Sequence, residues 1–97
     1  MLTSKQRAAL RALANPAKTI LQVGKSGMGD TLTKQVDDAL TARELIKLRV
    51  LETAPLSARE AAAELAAATG SDVVQVIGGR FVLYRRNQKE PKIVLPR

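Results

Sequence analysis

The sequence has no cysteine, no histidine and no tryptophan, and it carries one phenylalanine and one tyrosine. Without cysteine there are no disulfides and no thiol chemistry, which suits a reducing cytosol. Without histidine the usual general base and the commonest metal ligand are missing as well. No metal site, cofactor or small-molecule substrate is expected, and the chain does not read as an enzyme. Asp37 and Asp38 are adjacent acids, but neighbours on a helix diverge by about 100°. Both are expected to face solvent rather than to work as a carboxylate pair.

The scarcity of aromatics excludes a second class. Phe81 and Tyr84 lie three apart on one strand and so point to opposite faces. They cannot form the one-sided platform on which an RNA-recognition motif stacks bases. Phe81 is expected in the core, and Tyr84 either stacks one base or closes the sheet edge. No apolar run approaches the ~18 to 20 residues that span a bilayer. Lys5, Arg7 and Arg11 interrupt the region where a signal peptide carries its apolar segment. A soluble, cytoplasmic protein with no membrane partner is the expectation.

What the chain does have is positive charge. Its 97 residues hold 16 Lys and Arg against 9 Asp and Glu, a net +7, which favours polyanionic partners. Residues 1–34 carry six basic side chains and one acidic, 35–84 five and seven, and 85–97 five and one. A chain of this length is one domain, 1–97, burying roughly 60 to 70% of its unfolded surface. Residues 87–97 form a basic tail, expected to be mobile except where Ile93-Val94-Leu95 finds a partner.

The patterning predicts α-β-α-β-α-β-β, an α/β (α+β) fold with a mixed four-stranded sheet packed against helices. Thr3 and Gln6 make a capping box for a helix over 4–14, with Leu10 and Leu13 on its apolar stripe. Thr19 to Val23 is a short strand. Leu32, Val36, Ala39 and Leu40 mark one face of the next helix, capped by Gly29 or Asp30. Residues 45–51 alternate, with Ile46, Leu48 and Val50 opposite Lys47 and Arg49. Ser57 and Glu60 form a second capping box, for an alanine-rich helix ending at Gly70. Gly78-Gly79 signals a hairpin that pairs Val76 with Phe81 and Val74 with Leu83.

The segment Gly24-Lys25-Ser26-Gly27-Met28-Gly29-Asp30 stands between the first strand and the second helix. Glycine there permits positive φ and close approach of another molecule. The first amides of the following helix lack intrahelical acceptors and suit a phosphate. Gly24 and Gly29 have the spacing of a nucleotide-binding P-loop, but Asp30 stands where that loop needs lysine, and the third glycine of a dinucleotide fingerprint is missing. A bare glycine-rich turn is also common structural punctuation.

In its element order and motifs the chain resembles the CRM domain, the chloroplast RNA splicing and ribosome maturation family, in its single-domain bacterial YhbY-like form. The resemblance rests on Leu2 to Gln6, Gly24 to Gly27, Glu44 to Arg49, Val74 to Gly78, Phe81 to Arg85, and Lys92 to Arg97. It implies an RNA-binding fold similar to the C-terminal domain of bacterial translation initiation factor three, and association with large-subunit ribosome precursors. The family's GxxG loop falls on Gly24, Lys25, Ser26 and Gly27. Gly29 departs from the family, which usually has a small polar residue there.

The residues then take the following roles. Lys25 neutralises a phosphate, Ser26 donates a hydrogen bond, Gly24 and Gly27 permit close approach, and Lys34 assists from one turn into the helix. Lys47, Arg49, Arg80 and Arg86 share a sheet face that is either a second phosphate-contacting surface or an ordinary solvated one. The expected partner is ribosomal RNA, held by its backbone in the manner of a KH-type clamp. An alternative is a protein-interaction module on the ribosome or its assembly factors, anchored by Ile93-Val94-Leu95. A DNA-reading role for the third helix is weak, because Arg59 is its one basic residue beside Glu60 and Glu64.

Overall fold

The structure is a computed structural model that describes residues 2–27 and 29–96. Met1, Met28 and Arg97 lie outside the described residues, and with them part of the glycine-rich segment and the end of the last motif. The elements follow the predicted order: α1 Ser4–Ala14, β1 Thr19–Val23, α2 Asp30–Arg43, β2 Leu45–Val50, α3 Ala58–Thr69, β3 Asp72–Ile77 and β4 Arg80–Tyr84. One four-stranded sheet has the order β1-β2-β4-β3, with β1 parallel to β2 and the other pairs antiparallel. No helix among the described residues is long and apolar enough to cross a membrane.

Helices cover both sheet faces. On one, α2 and α3 bury Val36, Leu40 and Leu65 against Val23, Ile46, Leu48, Phe81 and Leu83. Ala58, Ala61 and Ala62 belong to the same cluster. Their short side chains let α3 sit close to the strands. On the other face, α1 places Leu10 and Ala14 on Val74, Val82 and Tyr84. Leu13, expected on that stripe, is 49% exposed instead. The i, i+4 pair Leu10 and Ala14 makes the contact, and Leu13 lies off its line.

Both capping boxes form. Thr3 and Gln6 close the start of α1, Ser57 and Glu60 that of α3, and Gly70 ends α3 in the left-handed conformation at φ 68°. The hairpin registers Val76 with Phe81 as expected, but Leu83 pairs with Val73 rather than Val74. An irregularity between Val73 and Gln75 inserts Val74 as an extra residue and turns it to the α1 face. The Arg7 guanidinium donates to the Val73 carbonyl at this break.

The tail is not loose. Glu44, fully buried between α2 and β2, has φ 66° and ψ −44°, close to the rare and strained γ-turn region. That backbone aims its carboxylate at the C-terminal segment, where it accepts the amides of Asn87 at 3.2 Å, Ile93 at 3.2 Å and Lys92. Lys92 Nζ donates to the Ala42 carbonyl at 2.8 Å and Gln6 Nε2 to Pro96 at 3.0 Å. Ile93 and Leu95 pack on the α1-side core. A buried carboxylate needs its hydrogen bonds filled, and the tail fills them, while Ile93 and Leu95 of the expected anchor find their partner in the chain's own core.

Arg85 locks the same end. Its guanidinium donates to the Thr69 carbonyl at 2.8 Å, the Asp37 carbonyl at 3.0 Å, the Asp37 carboxylate at 2.5 Å and the Thr41 hydroxyl at 2.8 Å. A cation thus sits at the C-terminal end of α3, where the helix dipole favours it, and ties that end to Asp37 and Thr41 of α2. Asp37 is exposed, as expected, but it is bonded to Arg85 rather than simply solvated.

Candidate nucleic-acid interface

The glycine segment sits at the opposite end of the sheet from the tail, beyond the C-terminal ends of β1 and β2. Its core is a turn: the Gly27 amide donates to the Gly24 carbonyl at 2.9 Å. Neither Lys25 nor Ser26 has positive φ, which excludes the type II and primed turns and leaves type I geometry. The two glycines are not equivalent. Gly27 has φ 69°, and a Cβ there would lie 2.9 Å from Pro55 Cγ, whereas a Cβ on Gly24 would meet Leu51 Cδ1 at an ordinary 3.7 Å.

The turn therefore rests on the segment after β2, which is itself fixed by the Leu51 amide on the Val23 carbonyl at 2.9 Å. Lys25 and Ser26 project from the tip and are exposed. Gly29 is the N-cap of α2, with extended φ and ψ and no side-chain cap, and Asp30 is the first helical residue. The leading amides of α2 are thus left for solvent or a ligand, though Asp30 puts a negative charge beside them. Lys34 is exposed one turn on, in a 3.5 Å ion pair with Asp38. An exposed i, i+4 pair is worth about 0.3 to 0.5 kcal/mol, too little to withhold the lysine from a phosphate.

Beneath the turn, the part of the α1 face that the helix does not reach carries a row across all four strands. The register aligns Gln22 of β1 with Arg49 of β2, Arg49 with Arg80 of β4, and Arg80 with Ile77 of β3. Arg49 and Arg80 are exposed, and neither has an ion pair or hydrogen-bond partner among the described residues. Lys47 lies in the next row, half-buried, with Nζ 3.3 Å from the Asn15 carbonyl at the end of α1. That contact ties the lysine partly to the helix.

Arg86 stands apart. It shares the face but follows β4 at the tail end, six residues from Arg80 and so roughly 20 Å along an extended chain. Its surroundings are Gln6, Tyr84, Pro91 and Ile93. Tyr84 is buried beneath α1 and the tail on β4, an inner strand, so it neither offers its ring to a base nor closes the sheet edge, and both expectations give way to a place in the core. Burial raises its phenol above the usual range, the Glu44 carboxylate adds to the rise, and Arg86 opposes it. Phe81 is in the core.

Two residues of this end escaped the charge-based reading. Gln22 and Gln35 line a recess of about 400 Å³ against the outer edge of β1, together with Arg49 and Arg80. Alternation along β1 puts Gln22 on the open face, and that was the available signal; Gln35 comes from α2 and had none. Ile93 and Leu95, the anchor of the protein-interaction alternative, are packed inward, leaving Val94 exposed at 92%.

With that geometry established, the relatives of the chain are informative. It is 42% identical over 96 residues to the probable RNA-binding protein YqeI of Bacillus subtilis, covering 99% of this chain and all of that one. It is 35% identical over 100 residues to an RNA-binding protein of Haemophilus influenzae, covering 99% and 96% of the two chains. The solution structure of SAV1595 from Staphylococcus aureus superposes with a TM-score of 0.82 at 45% identity, over 99% of this chain and 100% of that one. Residues 2–85 match the CRS1/YhbY (CRM) domain, and the chain belongs to that family.

Proposed function

We propose that this protein binds RNA, and that its target is ribosomal RNA in precursors of the large subunit, held through the sugar-phosphate backbone. The observation that carries the reading is the gathering of Lys25, Arg49 and Arg80, exposed and without carboxylate partners among the described residues, around a turn that Gly27 alone allows. Lys25 and Ser26 reach the phosphates first. The main chain at Gly24 and the open amides of α2 follow, with Lys34 at the side, while Arg49 and Arg80 take a second stretch of backbone and Lys47 extends that surface. The RNA-binding names of the relatives support the partner class. Arg86, at the far end, would touch only an RNA long enough to wrap the sheet.

In this reading the protein works in the cytoplasm as a binding protein and not as an enzyme, and it recognises RNA by shape. Both aromatic rings are buried, so bases have no ring to stack on. Ultraviolet crosslinking in cells, followed by mapping of the bound nucleotides, tests the target. Crosslinks concentrated in large-subunit precursor RNA are expected. Crosslinks spread over messenger RNA, or none above background, would overturn the assignment.

A further inference from the structure

The recess at the edge of β1 does more than add charge. Gln22, Arg49 and Arg80 stand side by side in one cross-strand row, and Gln35 closes the recess from α2. Neither glutamine amide has a hydrogen-bond partner among the described residues, and no carboxylate lines the space. The Val23 carbonyl accepts from Leu51 on the β2 side. By the alternation of a parallel ladder, the main-chain N–H and C=O of Gln22 therefore face outward on an unpaired edge.

We infer that this recess reads the ribose of RNA, with Arg49 and Arg80 on the phosphate and the Gln22 and Gln35 amides on the 2′-hydroxyl. The inference rests on the RNA reading above and deepens it. The 2′-hydroxyl is both donor and acceptor, as is a glutamine amide, and it is the group that separates RNA from DNA at a given contact. Two arginines fix a phosphate in the same recess, which presents the adjoining sugar to the glutamines. With no exposed ring nearby and about 400 Å³ of space, one sugar-phosphate unit is what the site can distinguish.

The test uses a hairpin RNA and the same hairpin with 2′-O-methyl sugars, which keeps the helix form but removes the hydroxyl proton. The wild-type chain is expected to prefer the unmodified hairpin by about fivefold, the worth of one neutral hydrogen bond. The Gln22→Ala/Gln35→Ala variant is expected to bind both hairpins alike, with the salt dependence of the wild type. Both glutamines are exposed, so the variant keeps its fold, and a thermal melt verifies it. Equal affinity of the wild type for the two hairpins, or a preference that survives in the variant, overturns the inference and leaves backbone binding standing. Failure of the wild type to bind either hairpin removes the RNA reading and this one together.

Discussion

Arg49 on β2 and Arg80 on β4 are direct cross-strand partners on one sheet face, and among the described residues neither has a carboxylate partner. Like charges so placed destabilise a sheet, and opposed pairs matter at roughly 0.2 to 1 kcal/mol. Binding an anion relieves that repulsion. Replacing Arg80 by glutamine is therefore expected to leave the free protein as stable or slightly more stable at low salt, while weakening RNA binding. Thermal melts and RNA titrations on the same sample check the opposed signs, and a destabilised Arg80→Gln would mean that the pair is structural.

Gly27→Ala tests the turn. Its Cβ would press on Pro55 in a left-handed backbone, and strain of this kind costs about 1 to 3 kcal/mol. Gly24→Ala, which meets only an ordinary contact with Leu51, should cost far less. Denaturant unfolding of the two variants gives the comparison; equal losses would contradict the assigned geometry.

The sequence showed the elements well because each carried a local signal. Two capping boxes, the Gly70 stop and the alternation through Ile46 and Leu48 are short-range patterns, and all formed as read. The errors came where a residue answered to something distant. Val74 changed face because a bulge between Val73 and Gln75 shifted the register. Glu44 looked like part of a motif and proved to be the anchor of the tail, which required knowing that residues 87 to 93 return to the end of α2. Lys25 and Ser26 were legible from their glycine frame; the recess was not, since Gln22 and Gln35 come from different faces of the sheet and carry no charge.

Glu44→Ala should release the tail. Removing the carboxylate leaves three amides without an acceptor, and a donor left unsatisfied away from water costs about 1 to 3 kcal/mol. Amide exchange at Lys92 and Ile93 is expected to accelerate together with the fall in stability. Unchanged protection at those two amides would show that the tail holds by its apolar contacts alone.

Stability should respond to pH at both extremes. The Ser57 amide, and then its hydroxyl, hold the Glu60 carboxyl below the usual range. Its folded value is lowered, so its contribution is present above the unfolded value and is lost as pH falls through the folded one. Tyr84 is raised, chiefly by burial, so its contribution is complete below the unfolded value near 10 and is lost as pH rises through the folded one. Melts across pH are expected to show an acid limb that flattens in Glu60→Gln, which keeps the cap but removes the titrating carboxyl, and an alkaline limb that flattens in Tyr84→Phe. Limbs unchanged in these variants would assign the pH dependence to other groups.

The most direct measurement is RNA affinity as a function of salt for the wild type, Lys25→Ala and Arg80→Gln. Each phosphate contact contributes close to one unit to the slope of log affinity against log salt. The expected result is a linear loss of affinity with salt in the wild type and a slope shallower by about one unit in each variant. Slopes identical to the wild type in both variants would contradict backbone recognition at this end of the molecule.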